Sequence, residues 1–518
     1  MSRLEKATKT IAFNFVNSTL SSVLGFISRT VFVATLGSEY LGLAGLLSNV
    51  LGFLSISELG IAAAIGFSLY KPLANKDDDT VSALMSLYRK AYAVIAGIVL
   101  FAGIGLFFFL DFFIPPEQQP HGTSVAYFAF LLNSVAGYLL SYKTTLISSD
   151  NQSYRLAPII ACASIIRTIC QIVALLLTKS YVVYIVIQIV CSIAQMVVQN
   201  RLITKSYPQI NFHSTKKLEA GVSQQIKRNI GGLVIAKIGD YLVNSTDNLI
   251  ITKLVSLAAT GIYSNYLLIR DLVNGFIATF FGGISASLGN IVAVESDKKK
   301  LEVFDTLLFS AFFVYSFEAV CFLCLFNPFI GELWLGNEFV FPISTVAVIV
   351  INNFLTGLRI PLIHMKSAAG KYMEDAWIPF AFAGINLVAS ILLAKYYGVT
   401  GVFLGTVIGS LLTADWYRPI VIYKHVFHTS VVKYFRKYIL YVVLGLTYMA
   451  VAYQLCSLVK TGYLIVDFII KGMIAACLPL ALNVLLFHKT TEFAAVKEMV
   501  FRILRAVHAK LVPRMWKK

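Results

Sequence analysis

The sequence predicts an all-α integral membrane fold of about fourteen transmembrane helices, arranged as two pseudo-symmetric six-helix lobes plus a C-terminal helix pair. Three observations predict it. Of 518 residues, 58% are hydrophobic and only 13% charged, with mean hydropathy +0.77, whereas soluble proteins carry roughly a quarter charged residues. Apolar runs of about 20 residues, the length that crosses a bilayer, recur along the whole chain. The polar turns between them alternate between crowded and nearly empty of Lys and Arg.

In chain order the apolar runs fall at about 11–36, 41–69, 88–112, 123–147, 155–177, 181–203, 229–255, 260–292, 303–330, 339–365, 376–395, 400–424, 434–457 and 463–487. The first follows a basic start (Arg3, Lys6, Lys9) but is too long and too polar for a cleavable signal sequence, so it is read as a retained span. Of 43 Lys and Arg, 33 fall in the N-terminal stretch, alternate turns and the tail. The opposite turns hold four: Lys179, Lys253, Lys395 and Lys460. The positive-inside rule then places both termini in the cytoplasm, and the +17 net charge is mostly an orientation signal, not a nucleic-acid footprint. The outer turns are short and acidic (DFFIPPEQQ from Asp111; NPFIGELWLGNE from Asn327), with no sizeable outer domain to house an enzyme.

The longest inner connection separates two groups of six spans. The expected organisation is an N-lobe at 1–203, a cytoplasmic connection at 204–228, a C-lobe at 229–424, a helix pair at 425–487 and a basic amphipathic tail at 488–518. An internal repeat supports the two lobes. An offset of 219 places Gly42 (SEYLGLAG) on Gly261 (SLAATGIYS), and the inner turn KDDD on ESDK. The same offset lays Ser18, Ser21, Gly25 and Ser28 over Lys237, Asp240, Asn244 and Asp247.

That second set is spaced three, four and three residues apart, which stacks it on one helix face. A charge at bilayer depth costs at least a few kcal/mol, so the stripe must face protein or water. The two faces are expected to line one cavity between repeats, where transporters commonly hold substrate. Lys237, Asp240 and Asp247, with Glu58 of the second span, are the expected coupling and gating groups. Either H⁺ or Na⁺ would suit them, and a structural counter-ion role for Asp240 stays equally open.

Arg29, Arg270 and Arg359 are expected to share an anion site, because a guanidinium fork bonds two phosphate oxygens at once. Their helices carry further polar residues at helical spacing, including Asn274, Asn352 and Thr356. Asp271 adjoins Arg270 but projects about 100° away on a helix, so pairing between them is not expected. The DDDT run at 77–80 reads as a helix N-cap rather than a glycosyltransferase motif. The seven cysteines read as apolar packing residues. Neither a metal site nor a cofactor motif is expected, and no catalytic constellation stands in a credible context.

The six-plus-six-plus-two pattern resembles the polysaccharide (Wzx-type) flippases, relatives of the lipid II flippases and of the multidrug and toxin extruders. The outer turn LGSEYLGLAGLLSNV, the run ISELGIAAAIGFSLYKPLA and the stretch YLVNSTDNLIITKLVSLAATGIYSNYLLIRDLVNGF carry the resemblance. Arg29, Asp247 and Arg270 fall where that family's pattern places intramembrane charges. The resemblance implies export of undecaprenyl-pyrophosphate-linked oligosaccharide repeat units across the bacterial cytoplasmic membrane by alternating access, for capsule, O-antigen or exopolysaccharide assembly. It implies a lipid-linked oligosaccharide substrate, a lipid environment and a polysaccharide polymerase or assembly machinery as partner, with no bond chemistry. The alternatives are a lipid II or teichoic-acid precursor flippase and a drug or cation antiporter. An integral-membrane glycan polymerase or ligase is disfavoured by the short outer loops.

Overall fold

The computed structural model describes residues 3–54, 61–150, 152–216, 246–371, 374–498 and 501, leaving aside the side chains of 3–16, 18, 53, 63–64, 280 and 283–287. The described chain is helical, and packing divides it into two compact units, Met1–Asn265 and Tyr266–Lys518. Eleven helices among the described residues are long and apolar enough to cross a membrane. Their outward faces carry bare Phe101 and Leu177, each about four-fifths exposed. Apolar surface of that extent suits lipid rather than water.

The first unit contains α1 (Arg3–Leu36), α2 (Ser38–Leu54), α3 (Ile61–Asn75), α4 (Asp78–Phe107), the short α5 (Leu110–Phe113), α6 (Thr123–Ser141), α7 (Thr144–Ser149), α8 (Ala157–Thr178) and α9 (Tyr181–Ser206). It also contains α10, described over 246–254, and the start of α11 (Leu257–Val294). The boundary between the units therefore falls within α11. The expected span at 41–69 takes in α2 and part of α3, and 55–60 lie outside the described residues. The expected third span starts ten residues earlier than read, because Asp77 caps α4 by accepting from the Thr80 N–H at 3.0 Å. The capping role of the DDDT run is thus as expected.

The chain after α9 lies along one face of α4. Ser82 Oγ accepts from Asn211 N–H at 2.9 Å, Ser86 Oγ donates to the Ser214 carbonyl at 2.7 Å, and Lys216 pairs with Asp79 at 2.6 Å. Residues 79, 82 and 86 share a face at that spacing. The Asp79 carboxylate holds the Lys216 ammonium above its usual range. Hydrogen bonds from Thr80, first its hydroxyl and then its N–H, hold the Asp77 carboxyl below its usual range.

The offset of 219 has a physical counterpart. A Cβ on Gly42 would stand 2.0 Å from the Leu257 carbonyl oxygen, and one on Gly261 would stand 1.9 Å from that of Ser38. Ser38 and Leu257 are themselves related by 219. Each repeat's glycine thus receives the first residue of the other repeat's helix, a reciprocal crossing that only hydrogen at Cα permits.

The second unit continues α11 and adds α12 (Asp297–Asn327), α13 (Ile343–Ala368), α14 (Ile378–Tyr397), α15 (Val399–Leu412), α16 (Ala414–Ile422), α17 (Val432–Ser457) and α18 (Leu464–Phe487). The expected span at 400–424 is broken at Thr413, whose backbone (φ −130°, ψ −83°) is not helical. Glycines at four-residue intervals bring α15 close against α14. Gly401, Gly405 and Gly409 of α15 lie on Leu393, Ser390 and Asn386 of α14. The Ser390 hydroxyl then has two acceptors for its one proton, the Val402 carbonyl at 2.8 Å and Asn386 Oδ1 at 2.7 Å. Small residues thus admit the backbones to hydrogen-bonding range.

Another contact fixes the register of α12 on α13. The Tyr315 ring covers Gly357, where a Cβ would meet it at 2.1 Å. Because the two helices run in opposite directions, Glu318, three residues on, lies beside Asn353, four residues back. Elsewhere in the unit, Asp375 is buried between Lys366 (2.7 Å) and Arg418 (3.3 Å). Lys437 of α17 pairs with Asp305 (2.8 Å) and with Glu492 of the tail (2.9 Å). That pairing joins the start of the tail to the second unit.

Candidate functional site: polar networks within the membrane helices

In the first unit Arg29 is half-buried on α1. Its Nη1 donates to Ser264 Oγ at 2.7 Å and to Asn265 Oδ1 at 3.4 Å, both on α11. The reciprocal glycine crossing brings these elements together, because Gly261 lies one turn before Asn265. Phe32, one turn beyond Arg29, packs edge-on against Tyr184 at 4.9 Å and Tyr181 at 6.0 Å. Tyr184 is also within electrostatic reach of Arg29 and Arg167. Among the described residues the hydrogen-bond partners of Arg29 are neutral, so its charge is solvated by hydroxyl and amide oxygens rather than cancelled. Ser28 is half-buried and Ser21 exposed on the same helix.

The second unit holds two networks. In one, Asn274 of α11 donates to Asn353 Oδ1 at 3.0 Å, and Asn353 Nδ2 donates to Glu318 Oε2 at 3.0 Å. Glu318 is 3% exposed, and its Oε1 has no hydrogen-bond partner among the described residues. Arg270, one turn before Asn274, acts on Glu318 through space. Contrary to the angular argument, Arg270 does bond its neighbour: Nε and Nη2 reach Asp271 Oδ1 at 3.0 and 2.7 Å. The three-methylene stem curls far enough to close the roughly 100° between adjacent positions. Both side chains keep solvent access, Arg270 at 30% and Asp271 at 63%.

The other network surrounds Arg359. Its Nη1 donates to Ser410 Oγ, its Nη2 donates to Thr356 Oγ1 at 2.6 Å, and its Nε faces Asp415 Oδ1 at 3.6 Å. Ser410 Oγ donates in turn to Asp415 Oδ2 at 2.5 Å. Only 11% of the arginine side chain and 4% of the aspartate are exposed. Two donors of Arg359 are therefore taken by hydroxyls of its own unit, and the guanidinium is paired with a carboxylate from the broken span. Asn352 is half-buried beside Asn353.

The expected residues thus sort by unit. Arg29 belongs to the first; Arg270, Asn274 and Arg359 belong to the second, where Arg270 and Asn274 share the Glu318 network while Arg359 joins Asp415. Asp247 is half-buried on α10. Lys237, Asp240, Asn244 and Glu58 lie outside the described residues, as does the side chain of Ser18. Sequence reasoning did not find Asp415 or Asn353. Asp415 sits in ADWYRP, a polar interruption of an otherwise apolar run, and Asn353 is half of the pair Asn352–Asn353. Each was a legible signal.

These features define a multi-pass α-helical membrane protein whose helices carry internal polar sites. No protein-family model and no curated protein matches the sequence. Solved structures do match. A lipid II flippase, MurJ, in an inward closed conformation superposes with TM-score 0.65 at 15% identity, over 92% of this chain and 99% of that one. An inward-facing multidrug resistance MATE transporter of the MOP superfamily gives 0.59 at 14%, over 78% and 95%. A mutant form of the Vibrio cholerae MATE transporter VcmN gives 0.57 at 11%, over 82% and 98%. The chain therefore has the fold that these transporters and flippases share.

Proposed function

We propose that the protein is a flippase for undecaprenyl-pyrophosphate-linked oligosaccharide repeat units. In this reading it sits in the bacterial cytoplasmic membrane with both termini inside and works by alternating access, breaking no bond. The observation that carries this reading is Arg29: a guanidinium within a membrane-spanning helix, held by Ser264 and Asn265, with its charge uncancelled among the described residues. Such a group suits a pyrophosphate. Arg270, partly open to solvent, offers a second cation. The polyprenyl tail would stay in lipid while the glycan head crosses.

A lipid II or teichoic-acid precursor flippase is the second reading, favoured by the near-complete overlap with the lipid II flippase structure. The test is expression in a bacterium lacking its polysaccharide flippase. Lipid-linked repeat units should stop accumulating inside the cell, and Arg29→Ala should restore the accumulation at equal protein level. Rescue of a strain lacking its lipid II flippase instead would favour the second reading. Restored drug resistance in an extruder-deficient strain, without either rescue, would overturn both.

A further inference from the structure

We propose that Glu318 is a proton-binding site of the second unit, ionised and neutral by turns, with Asn353 and Asn274 holding its carboxylate in place. Its role in coupling rests on the anion-exporting reading above; the proton binding itself does not. An ionised carboxylate offers about four acceptor positions. Here one is used, by Asn353 at 3.0 Å, while Oε1 is buried with no partner among the described residues. The setting therefore leaves the ionised form poorly served, and uptake of one proton from water by the carboxylate removes the charge that burial penalises.

The surroundings neither cancel that charge outright nor suit a metal. Among the described residues, the charged and titratable groups around Glu318 are Arg270 on α11, Tyr315 and Cys321 on its own helix, Cys456 of α17 beyond Cys321, and Lys471 of α18 beyond Cys456. From α13 it meets the amide Asn353. A metal cation collects several oxygens at once, but this site supplies one carboxylate, and the Asn353 oxygen already accepts from Asn274. A proton needs no such shell.

The network also gives the proton something to report on. Arg270 acts on the carboxylate through space, and it is one turn from Asn274 on the same helix. An anion settling on Arg270 would neutralise that influence and favour protonation of Glu318. By linkage, the proton would favour the anion to the same degree.

Infrared titration of the purified, reconstituted protein tests this. In acid-minus-alkaline difference spectra the wild type should hold a carboxylic C=O band that Glu318→Gln removes. Asn353→Leu, which keeps the carboxyl but deletes its donor, should raise proton affinity by about tenfold to a hundredfold. Absence of a titrating band, a band that survives Glu318→Gln, or a midpoint unmoved by Asn353→Leu would each overturn the assignment. So would a midpoint that falls with added sodium at fixed ionic strength, because Na⁺ would then occupy the carboxylate. Inorganic pyrophosphate should move the midpoint upward. A band that obeys both variants but ignores pyrophosphate would leave the proton site standing and count against the anion reading alone.

Discussion

Arg359 and Asp415 form a pair whose removal has a calculable cost. At 3.6 Å and an effective dielectric of about 20, two unit charges attract by about 4–5 kcal/mol. Deleting one partner of a buried pair typically costs about 3–5 kcal/mol, because the other charge is left buried and alone. Arg359→Met would strand Asp415, 4% exposed, and would also release Ser410 and Thr356. A unit of roughly 250 residues loses about 2–4 °C in melting temperature per kcal/mol, so the expected fall is about 6–20 °C. The paired change Arg359→Met with Asp415→Leu should recover most of it, since apolar replacement of a whole buried pair is often neutral or better. The assay is thermal unfolding in detergent of the four proteins of this cycle, scanned at one rate, with export measured in parallel. A single variant that melts within about 2 °C of wild type would refute the reasoning, as would a double variant no more stable than the single one. Wild-type export by the double variant would place Arg359 in the scaffold; lost export at recovered stability would return it to the substrate site.

Other outcomes follow from the same geometry. Gly42→Ala or Gly261→Ala places a methyl against a carbonyl oxygen at 2.0 or 1.9 Å, an overpacking expected to cost about 1–3 kcal/mol and visible as a lowered melting temperature in either variant. Gly405→Leu should part α14 from α15, because the obstruction includes the Ser390 backbone at 2.4 Å; loss of folded protein on size exclusion is the expected result, and a well-folded variant would contradict the close crossing. Arg29→Lys should export more slowly than wild type but better than Arg29→Ala, since an ammonium keeps the charge and loses the fork. Because Asp77 titrates below the ordinary carboxylate range when folded, its cap is fully formed above that range and is lost as pH falls through the depressed value. Amide exchange at residues 78–81 should accelerate across that acid window in wild type and be pH-insensitive in Asp77→Ala, once the intrinsic chemical rate is divided out.

Much of this arrangement is legible in the residue pattern, and the failures have identifiable causes. Apolar run length locates most of the membrane helices, and the reciprocal glycines appear as an offset before any contact is known. Local chemistry is equally transparent at Asp77, where cap and partner are three residues apart. Arg359 is different. Its partner Asp415 comes from another helix, and only the break at Thr413 and the α14–α15 crossing decide that they meet. The Glu318 network depends on the register of α12 against α13, which Tyr315 sets by resting on Gly357. Nothing in either helix alone specifies that register. Arg270 and Asp271 mark a third limit: helix angles describe Cβ directions and say little about the end of a long flexible side chain.

The glycine crossing also carries a consequence for how the sequence can drift. At both positions the obstacle is a main-chain carbonyl, so no change of neighbouring side chain can make room for a methyl group. Compensation would have to move a whole helix, and the other glycine contact moves with it. Gly42 and Gly261 should therefore be constrained together, each more tightly than the side chains around it. A substitution library should show this as two depleted columns 219 positions apart, with no side-chain change nearby that restores either alone.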